Sequence, residues 1–149
     1  MKRNIFLLSV LFLISCGNAK EIVEEEKSKQ QTWPILNDNT FDLKAVSKDK
    51  TYGYTEKNPI MVGGLPDSEG PLNERRFLNA LAGPNGEYIT YERTGSCCQF
   101  KTDNSFMGAG LLDMYEITWK NQKESVTLYL NMYDAGELKA PIGFTIAKK

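Results

Sequence analysis

The second half of the chain consists largely of short segments in which apolar and polar residues alternate. A strand exposes every second side chain to the same face, so this period of two indicates half-buried β-strands. The apolar positions are Ile89 and Tyr91; Tyr115, Ile117 and Trp119; Val126, Leu128, Leu130 and Met132; Ile142, Phe144 and Ile146. The short connection Asn121-Gln122-Lys123 is typical of a hairpin between the second and third of these segments.

Three shorter strands and one helix are predicted upstream. The strand candidates are residues 40–47, 51–54 and 60–62, the last ended by Gly63-Gly64. The stretch LNERRFLNALAGPNG predicts the helix, with Asn73 as its cap and Gly83-Pro84 as its end. Six or seven strands with one short helix predict an α+β fold with a mostly antiparallel sheet. A small β-sandwich with an incidental helix is the alternative.

The N-terminus has the layout of a secretory signal peptide. Lys2 and Arg3 precede an apolar run, and small Ser15 precedes Cys16. The segment LISC (residues 13–16) resembles the lipobox of bacterial lipoproteins. This resemblance implies cleavage before Cys16, a diacylglycerol on its sulfur and acylation of the new amino group. Several acyl chains hold a protein stably on a membrane without a spanning helix.

This layout divides the chain into three parts. Residues 1–15 are the predicted signal peptide, and residues 16–32 are the lipidated cysteine and a flexible polar tether. Residues 33–149 form one globular domain of ordinary size. Gly17, which stands where an aspartate often marks inner-membrane retention, favours the outer membrane. The expected location is therefore the cell envelope, on the periplasmic or the surface face of the outer membrane.

Charge and composition exclude several functions. Without Lys2 and Arg3 the mature chain has 16 Lys and Arg against 19 Asp and Glu, a formal charge of −3. No basic run interleaves with aromatic residues, so we expect no nucleic-acid partner. The chain has no histidine, which removes the commonest general base and the usual zinc ligand. We therefore expect no metal and no cofactor, and the sequence points to no catalytic residue.

Adjacent Cys97 and Cys98 are the most conspicuous local feature. If Cys16 carries lipid, a disulfide within one chain can join only these two neighbours. Neighbouring Cα atoms lie ~3.8 Å apart, below the usual disulfide range of ~4.4–6.8 Å, so the ring is strained. Three interpretations remain open. The cysteines are packed thiols on opposite faces of a strand, a vicinal disulfide formed in an oxidising envelope, or a redox, metal or intermolecular site.

Two further groups are candidate recognition surfaces. Phe100, Phe106 and Met107, in a glycine-containing loop, predict an exposed apolar surface, or else they lie under the sheet edge. Arg75 and Arg76 predict a grip on an anionic glycan or headgroup, or else the solvated face of a helix.

Five segments together resemble a family of short bacterial lipoproteins of unknown function. They are YGYTEKNPI, ERRFLNALAGPNGE, GSCCQFK, MGAGLLDMYEITW and TLYLNMYDAGELKAPIGF, within residues 40–146. Relatives commonly carry proline after the paired cysteines, where this chain has Gln99, so the resemblance implies no rigid turn here. Members have carried the name 2-dehydro-3-deoxyphosphooctonate aldolase. Such synthases are (β/α)₈ barrels of about 250 residues, and this domain is too short for that fold. The predicted signal peptide also indicates export, whereas those synthases act on cytoplasmic substrates.

The sequence as a whole predicts a lipid-anchored cell-envelope lipoprotein that acts as a non-catalytic binding or structural module. Its expected partners are the membrane, through the N-terminal lipid, and envelope proteins or glycan, through the Cys97–Gly110 region or an open sheet edge. The alternative is a small envelope enzyme that uses a carboxylate, a lysine or the Cys97–Cys98 pair. A deep pocket with two perturbed titratable groups would favour the enzyme.

Overall fold

The structure is a computed structural model, and it describes residues 33–64 and 69–148. The predicted signal peptide, the lipidated Cys16 and the tether of residues 17–32 lie outside the described residues. The elements in chain order are β1 (Ile35–Asn37), β2 (Thr40–Phe41), β3 (Ile60–Met61), α1 (Gly70–Asn79), β4 (Leu81–Ala82), β5 (Ile89–Lys101), β6 (Ala109–Trp119), β7 (Val126–Asn131) and β8 (Thr145–Ile146).

The predicted α+β class is confirmed, but the described strands are divided among three sheets. The largest has four strands in the order β3-β7-β6-β5, and β1-β2 and β4-β8 form two-stranded sheets. All pairings are antiparallel except that of β3 with β7. The prediction of one sheet with six or seven strands was wrong, because β1 pairs with β2 and β4 with β8 instead of with the central sheet.

The hydrophobic core lies between α1 and one face of the four-stranded sheet. Phe77 and Leu78 of the helix are fully buried, as are Ile117 and Leu128 from the sheet. These sheet residues occupy the alternating positions that the sequence marks as apolar, so the period of two produces this face directly. Burying four such side chains contributes roughly 1.5–3 kcal/mol each.

Helix α1 begins earlier than predicted. Gly70 is its first residue, a proline follows within the first turn, and Glu69 is the N-cap residue. Proline suits this position because its missing N–H would have no intrahelical partner there. Asn73 is therefore not the cap. Its buried side-chain amide donates a hydrogen bond of 3.1 Å to the carbonyl of Val62 and ties the helix to the end of β3.

Two predicted strands are shorter or absent. Residues 51–54 form turns, and the N–H of Tyr54 donates to the carbonyl of Thr51 at 3.0 Å. The Asp49 side chain accepts hydrogen bonds from both N–H and Oγ1 of Thr51, a local alternative to strand pairing. In residues 40–47 only Thr40–Phe41 form a strand. The helix ends at Asn79 because the next residues, Leu81–Ala82, pair with β8.

Candidate functional site

The β5–β6 hairpin carries two neighbouring, strongly exposed apolar side chains at its tip. The relative exposure is 107% for Phe106 and 85% for Met107. The chain turns between Ser105 and Gly108, where the Gly108 N–H donates 2.9 Å to the Ser105 carbonyl. Gly108 has a φ of +68°, a conformation that glycine adopts without the steric cost of a side chain. We call Phe106 and Met107 the hairpin tip.

Asp134 holds the loop that carries the hairpin tip. Its Oδ1 accepts a hydrogen bond of 2.6 Å from Thr102 Oγ1 and one of 2.9 Å from Asn104 Nδ2. Its Oδ2 accepts one of 2.9 Å from Asn131 Nδ2. Burial alone would raise the pKa of Asp134, but these donors outweigh it and hold the pKa below its usual value. The tip is thus presented by a hydrogen-bonded loop.

Phe100 is separate from the exposed tip. Its ring packs edge-on against Tyr133, with centroids 5.9 Å apart, and it is half-buried. Gly110 permits this packing, because a Cβ there would lie 2.7 Å from the Tyr133 ring and 2.8 Å from the Phe100 ring. Of the three predicted surface residues, Phe106 and Met107 are together on the outside, and Phe100 supports the base of the hairpin.

Arg75 and Arg76 do not come together as an anion clamp. The Arg76 side chain is only 15% exposed and binds the Glu69 carboxylate at 2.8 Å. It also donates 2.8 Å to the Asp38 carbonyl and so holds the β1–β2 turn against the helix. Arg75 is exposed on the helix surface. Because the guanidinium N–H groups of Arg76 already bind groups within the protein, few of them remain for a glycan or a lipid headgroup.

Cys97 and Cys98 form a disulfide within β5, with an S–S distance of 2.09 Å and a Cα–Cα distance of 3.7 Å. They lie at a β-bulge, since Cys97 pairs with Leu112 and Phe100 with Gly110. Cys98 has a φ of +57°, in the left-handed region that L-residues rarely adopt. Among the described strands β5 pairs only with β6, so this bulge lies on an edge strand. Bulges at such positions disfavour pairing with another sheet.

A cluster of charged and polar residues lies close to the disulfide in sequence and includes Arg93 and Ser96 of strand β5. Arg93 grips Asp113 with two hydrogen bonds, Nε to Oδ2 at 2.6 Å and Nη2 to Oδ1 at 2.8 Å. Ser96 Oγ also donates to Asp113 Oδ1 at 2.8 Å. Behind Asp113 lies Glu74 of the helix, whose Oε2 accepts a hydrogen bond of 2.9 Å from the Tyr115 hydroxyl. Glu74 is 0% exposed and Asp113 3%.

Glu74 and Asp113 are two buried carboxyl groups whose pKa values shift in opposite directions, which favours the protonated form of Glu74 and the ionised form of Asp113. Burial, followed by the negative charge of Asp113, raises the pKa of Glu74 to about 8. Burial also favours the neutral form of Asp113, but Arg93 and Ser96 outweigh it and lower the pKa of that residue. Among the described residues Glu74 Oε1 has no hydrogen-bond partner, and an unpaired buried oxygen favours the neutral carboxyl group over the carboxylate.

The cluster is closed to substrates on the helix side. Three open depressions of 430, 330 and 490 Å³ lie elsewhere, around Trp33, around Thr90 and around Tyr88. Neither Glu74 nor Asp113 lines any of the three. The arrangement can hold a proton and bind the helix to the sheet, and its Arg93 and Ser96 residues are exposed to solvent.

Reasoning from the sequence did not predict the buried pair of Glu74 and Asp113 or the role of Asp134 in the tip loop. The alternation of β6 contains a signal for one of them, since Asp113 lies two residues before Tyr115 and four before Ile117 and so shares their buried face. Its depth depends on the helix above it, which the alternation does not reveal. Asp134 lies in the loop after the alternating segment of β7, and we find no comparable signal for it in the sequence.

Two further observations concern the chemistry available to the domain. Within residues 33–64 and 69–148, no three His, Cys, Asp or Glu side chains converge as ligands for a metal ion. In the same part of the chain, no helix is both long and apolar enough to cross a bilayer.

No protein-family profile matches the chain, and no curated protein or solved structure is significantly similar to it. The resemblance to short bacterial lipoproteins therefore stays a prediction.

Proposed function

We propose that the protein is a lipid-anchored cell-envelope lipoprotein that acts as a non-catalytic binding module and engages an envelope component through its hairpin tip. The N-terminal sequence supports the anchor at Cys16 and the outer-membrane location. The observation that carries the binding proposal is the full exposure of Phe106 and Met107 on a loop held by Asp134.

The exposure of two neighbouring apolar side chains to solvent needs a physical explanation. Exposed single apolar residues are common, but an aromatic and a methionine side by side on a hydrogen-bonded loop form a preorganised contact. Ordering the loop in advance lowers the entropic cost of binding, and both residue types are enriched where proteins bind partners. The requirements of folding do not explain the exposed pair, since neither side chain contributes to the core.

The buried carboxyl cluster supports a structural role more than the enzymatic alternative. A general acid must reach its substrate to transfer a proton, and the Glu74 side chain is fully buried. It accepts a hydrogen bond from the Tyr115 hydroxyl, which joins the helix to the sheet. The same cluster therefore stabilises the domain that presents the hairpin tip.

The test is photo-cross-linking in cells from residue 106 of the full chain, with residue 88 as the matched control. Tyr88 is 98% exposed and lies just before β5, at the end of the strand opposite the tip. We expect a discrete adduct from residue 106 that the Met107→Ser substitution weakens, and none from residue 88. Equal labelling from both positions, or none from residue 106, would refute binding through the tip.

The anchor is tested separately by intact mass spectrometry of the protein purified from membranes. A mature chain that begins at Cys16 with added acyl mass is the expected result. A chain of unmodified mass would refute the lipid anchor and leave the cross-linking result to stand by itself.

A further inference from the structure

The described chain begins beside the turn that holds the hairpin tip. The indole Nε1 of Trp33 donates a hydrogen bond of 3.0 Å to the Gly136 carbonyl. Two residues earlier, Asp134 accepts the hydrogen bonds of Thr102 and Asn104 from the tip loop. The Cα atoms of Asp134 and Gly136 are at most about 7 Å apart. One turn, residues 131–136, therefore contacts both the start of the domain and the tip loop.

Tyr88 marks the other end of the hairpin. Strand β5 separates it from the tip loop and has 13 residues, which at about 3.3 Å per residue corresponds to roughly 40 Å. The predicted tether of residues 17–32 joins the domain at Trp33. Because Trp33 contacts the turn that holds the tip loop, a lipid on Cys16 would bring this side of the domain toward the bilayer.

The chemistry of the tip fits the interface of a bilayer. Phe106 and Met107 are apolar, and the nearby exposed charges, Lys101 and Asp103, are of opposite sign. Half-buried Trp33 contacts the turn of residues 131–136, and half-buried Tyr133 belongs to it. Aromatic residues of this kind are enriched at the level of lipid headgroups. With balanced charges, the contact would depend on apolar insertion and little on salt.

We infer that the hairpin tip inserts into the interfacial layer of the membrane that carries the lipid anchor, and so provides a second, orienting contact. The inference rests on the proposed anchor at Cys16 and names the lipid bilayer as the partner of the tip. In this orientation the edge of β5 rises from the membrane and leaves the Tyr88 end farthest from it.

The test uses the full acylated chain in vesicles of phosphatidylethanolamine and phosphatidylglycerol, with lipids brominated at defined depths. Phe106→Trp places a fluorophore at the tip, and Tyr88→Trp is the matched control at an equally exposed position. Wild-type protein supplies the background from Trp33 and Trp119. We expect the added emission from position 106 to be quenched at least about twofold more than that from position 88, since only the tip reaches the acyl region. Quenching should persist in high salt.

Each of the other outcomes overturns a specific part of the proposal. Equal or absent quenching at position 106 overturns membrane insertion. Cross-links from residue 106 to a protein or glycan, without lipid adducts, also overturn it but leave binding through the tip intact. No adduct of any kind from residue 106 overturns the proposed function itself. Unchanged thermal unfolding of Phe106→Trp confirms that the variant reports on contact and not on misfolding.

Discussion

The hydroxyl of Tyr115 donates a hydrogen bond of 2.9 Å to Oε2 of Glu74 and joins the centre of β6 to helix α1. This bond lies inside the core, where an unsatisfied polar group would cost about 1–3 kcal/mol. Burial and the hydrogen bond to Glu74 raise the pKa of Tyr115, so its hydroxyl stays a donor at every physiological pH. The pair connects the stability of the domain to the proton on Glu74.

Stability is expected to fall as the pH rises toward 8. The folded pKa of Glu74, about 8, exceeds the ordinary 4.5, so the folded state binds this proton more tightly than the unfolded state does. Its contribution is present at acidic pH and is lost as the pH rises through the folded pKa, by at most about 1.4 kcal/mol per unit. The chain lacks histidine, so few other groups titrate here. Urea unfolding at several values between pH 5 and 8.5 measures the slope.

The Glu74→Gln variant is the matched control for this slope. Glutamine imitates the protonated acid, since its carbonyl can accept from Tyr115 and its amide can donate to Asp113. We expect stability close to wild type at pH 5, higher than wild type at pH 8, and a flatter pH dependence. An identical slope in both proteins would show that Glu74 is not the titrating group.

Removing the Arg93 side chain should destabilise the domain far more than removing an exposed lysine. Asp113 is 4% exposed in its side chain and would lose its main positive partner in Arg93→Ala. We expect a loss of about 1–2 kcal/mol, less than for a fully buried pair because Arg93 is 47% exposed. Lys44→Ala, whose side chain is 71% exposed in its ion pair with Asp42, should cost under about 0.5 kcal/mol. Similar losses in both variants, measured by chemical denaturation, would contradict a special role for Arg93.

Position 98 should prefer glycine once the disulfide is absent. Cys98 has a φ of +57°, which costs an L-residue roughly 1 kcal/mol relative to glycine. In a Cys97→Ala background we expect Cys98→Gly to unfold at higher urea concentration than Cys98→Ala. The reverse order would mean that β5 abandons its bulge when the sulfur–sulfur bond is lost.

The state of the two thiols in the purified protein is measurable directly. Alkylation followed by intact mass should add two alkyl groups only after reduction, without any change in oligomeric state. Labelling of the unreduced native protein would contradict the disulfide, and a reducible dimer would indicate an intermolecular bond instead.

Gly63 is expected to tolerate no side chain, because a Cβ there would lie 2.3 Å from the Met132 carbonyl oxygen and from backbone carbon of Tyr133. Gly63→Ala should lower the free energy of unfolding by more than about 2 kcal/mol and disturb the turn that holds the hairpin tip. Gly136→Ala is the control, since its Cβ would lie 3.1 Å from the Met61 Cβ, a contact that a shift of a few tenths of an ångström relieves. We expect a loss under about 1 kcal/mol there. Equal losses in thermal or urea unfolding would contradict the clash at Gly63.

Several features of the fold were predictable because they depend on local periodicity. The alternation over Tyr115 and Ile117 predicts the buried face of β6, and the short connection after Trp119 predicts the antiparallel pairing with β7, both of which are present. The turn at residues 51–54 was missed because the hydrogen bonds that Thr51 donates to the Asp49 side chain outweigh the strand preference of the aromatic residues in this segment. Asn73 was mistaken for a cap because its partner, the Val62 carbonyl, is distant in sequence.

The sequence by itself determined the α+β class, the central strands and the composition of the loop that carries Phe106 and Met107, since these follow from the order of apolar and polar residues along one segment. Only the tertiary structure decided that Glu74 meets Asp113, that Arg76 turns inward and that Trp33 lies beside the turn that holds the hairpin tip. Each of these depends on how two distant segments pack, and the energy of such a contact is set by burial and by distance in space, which the residue order does not specify.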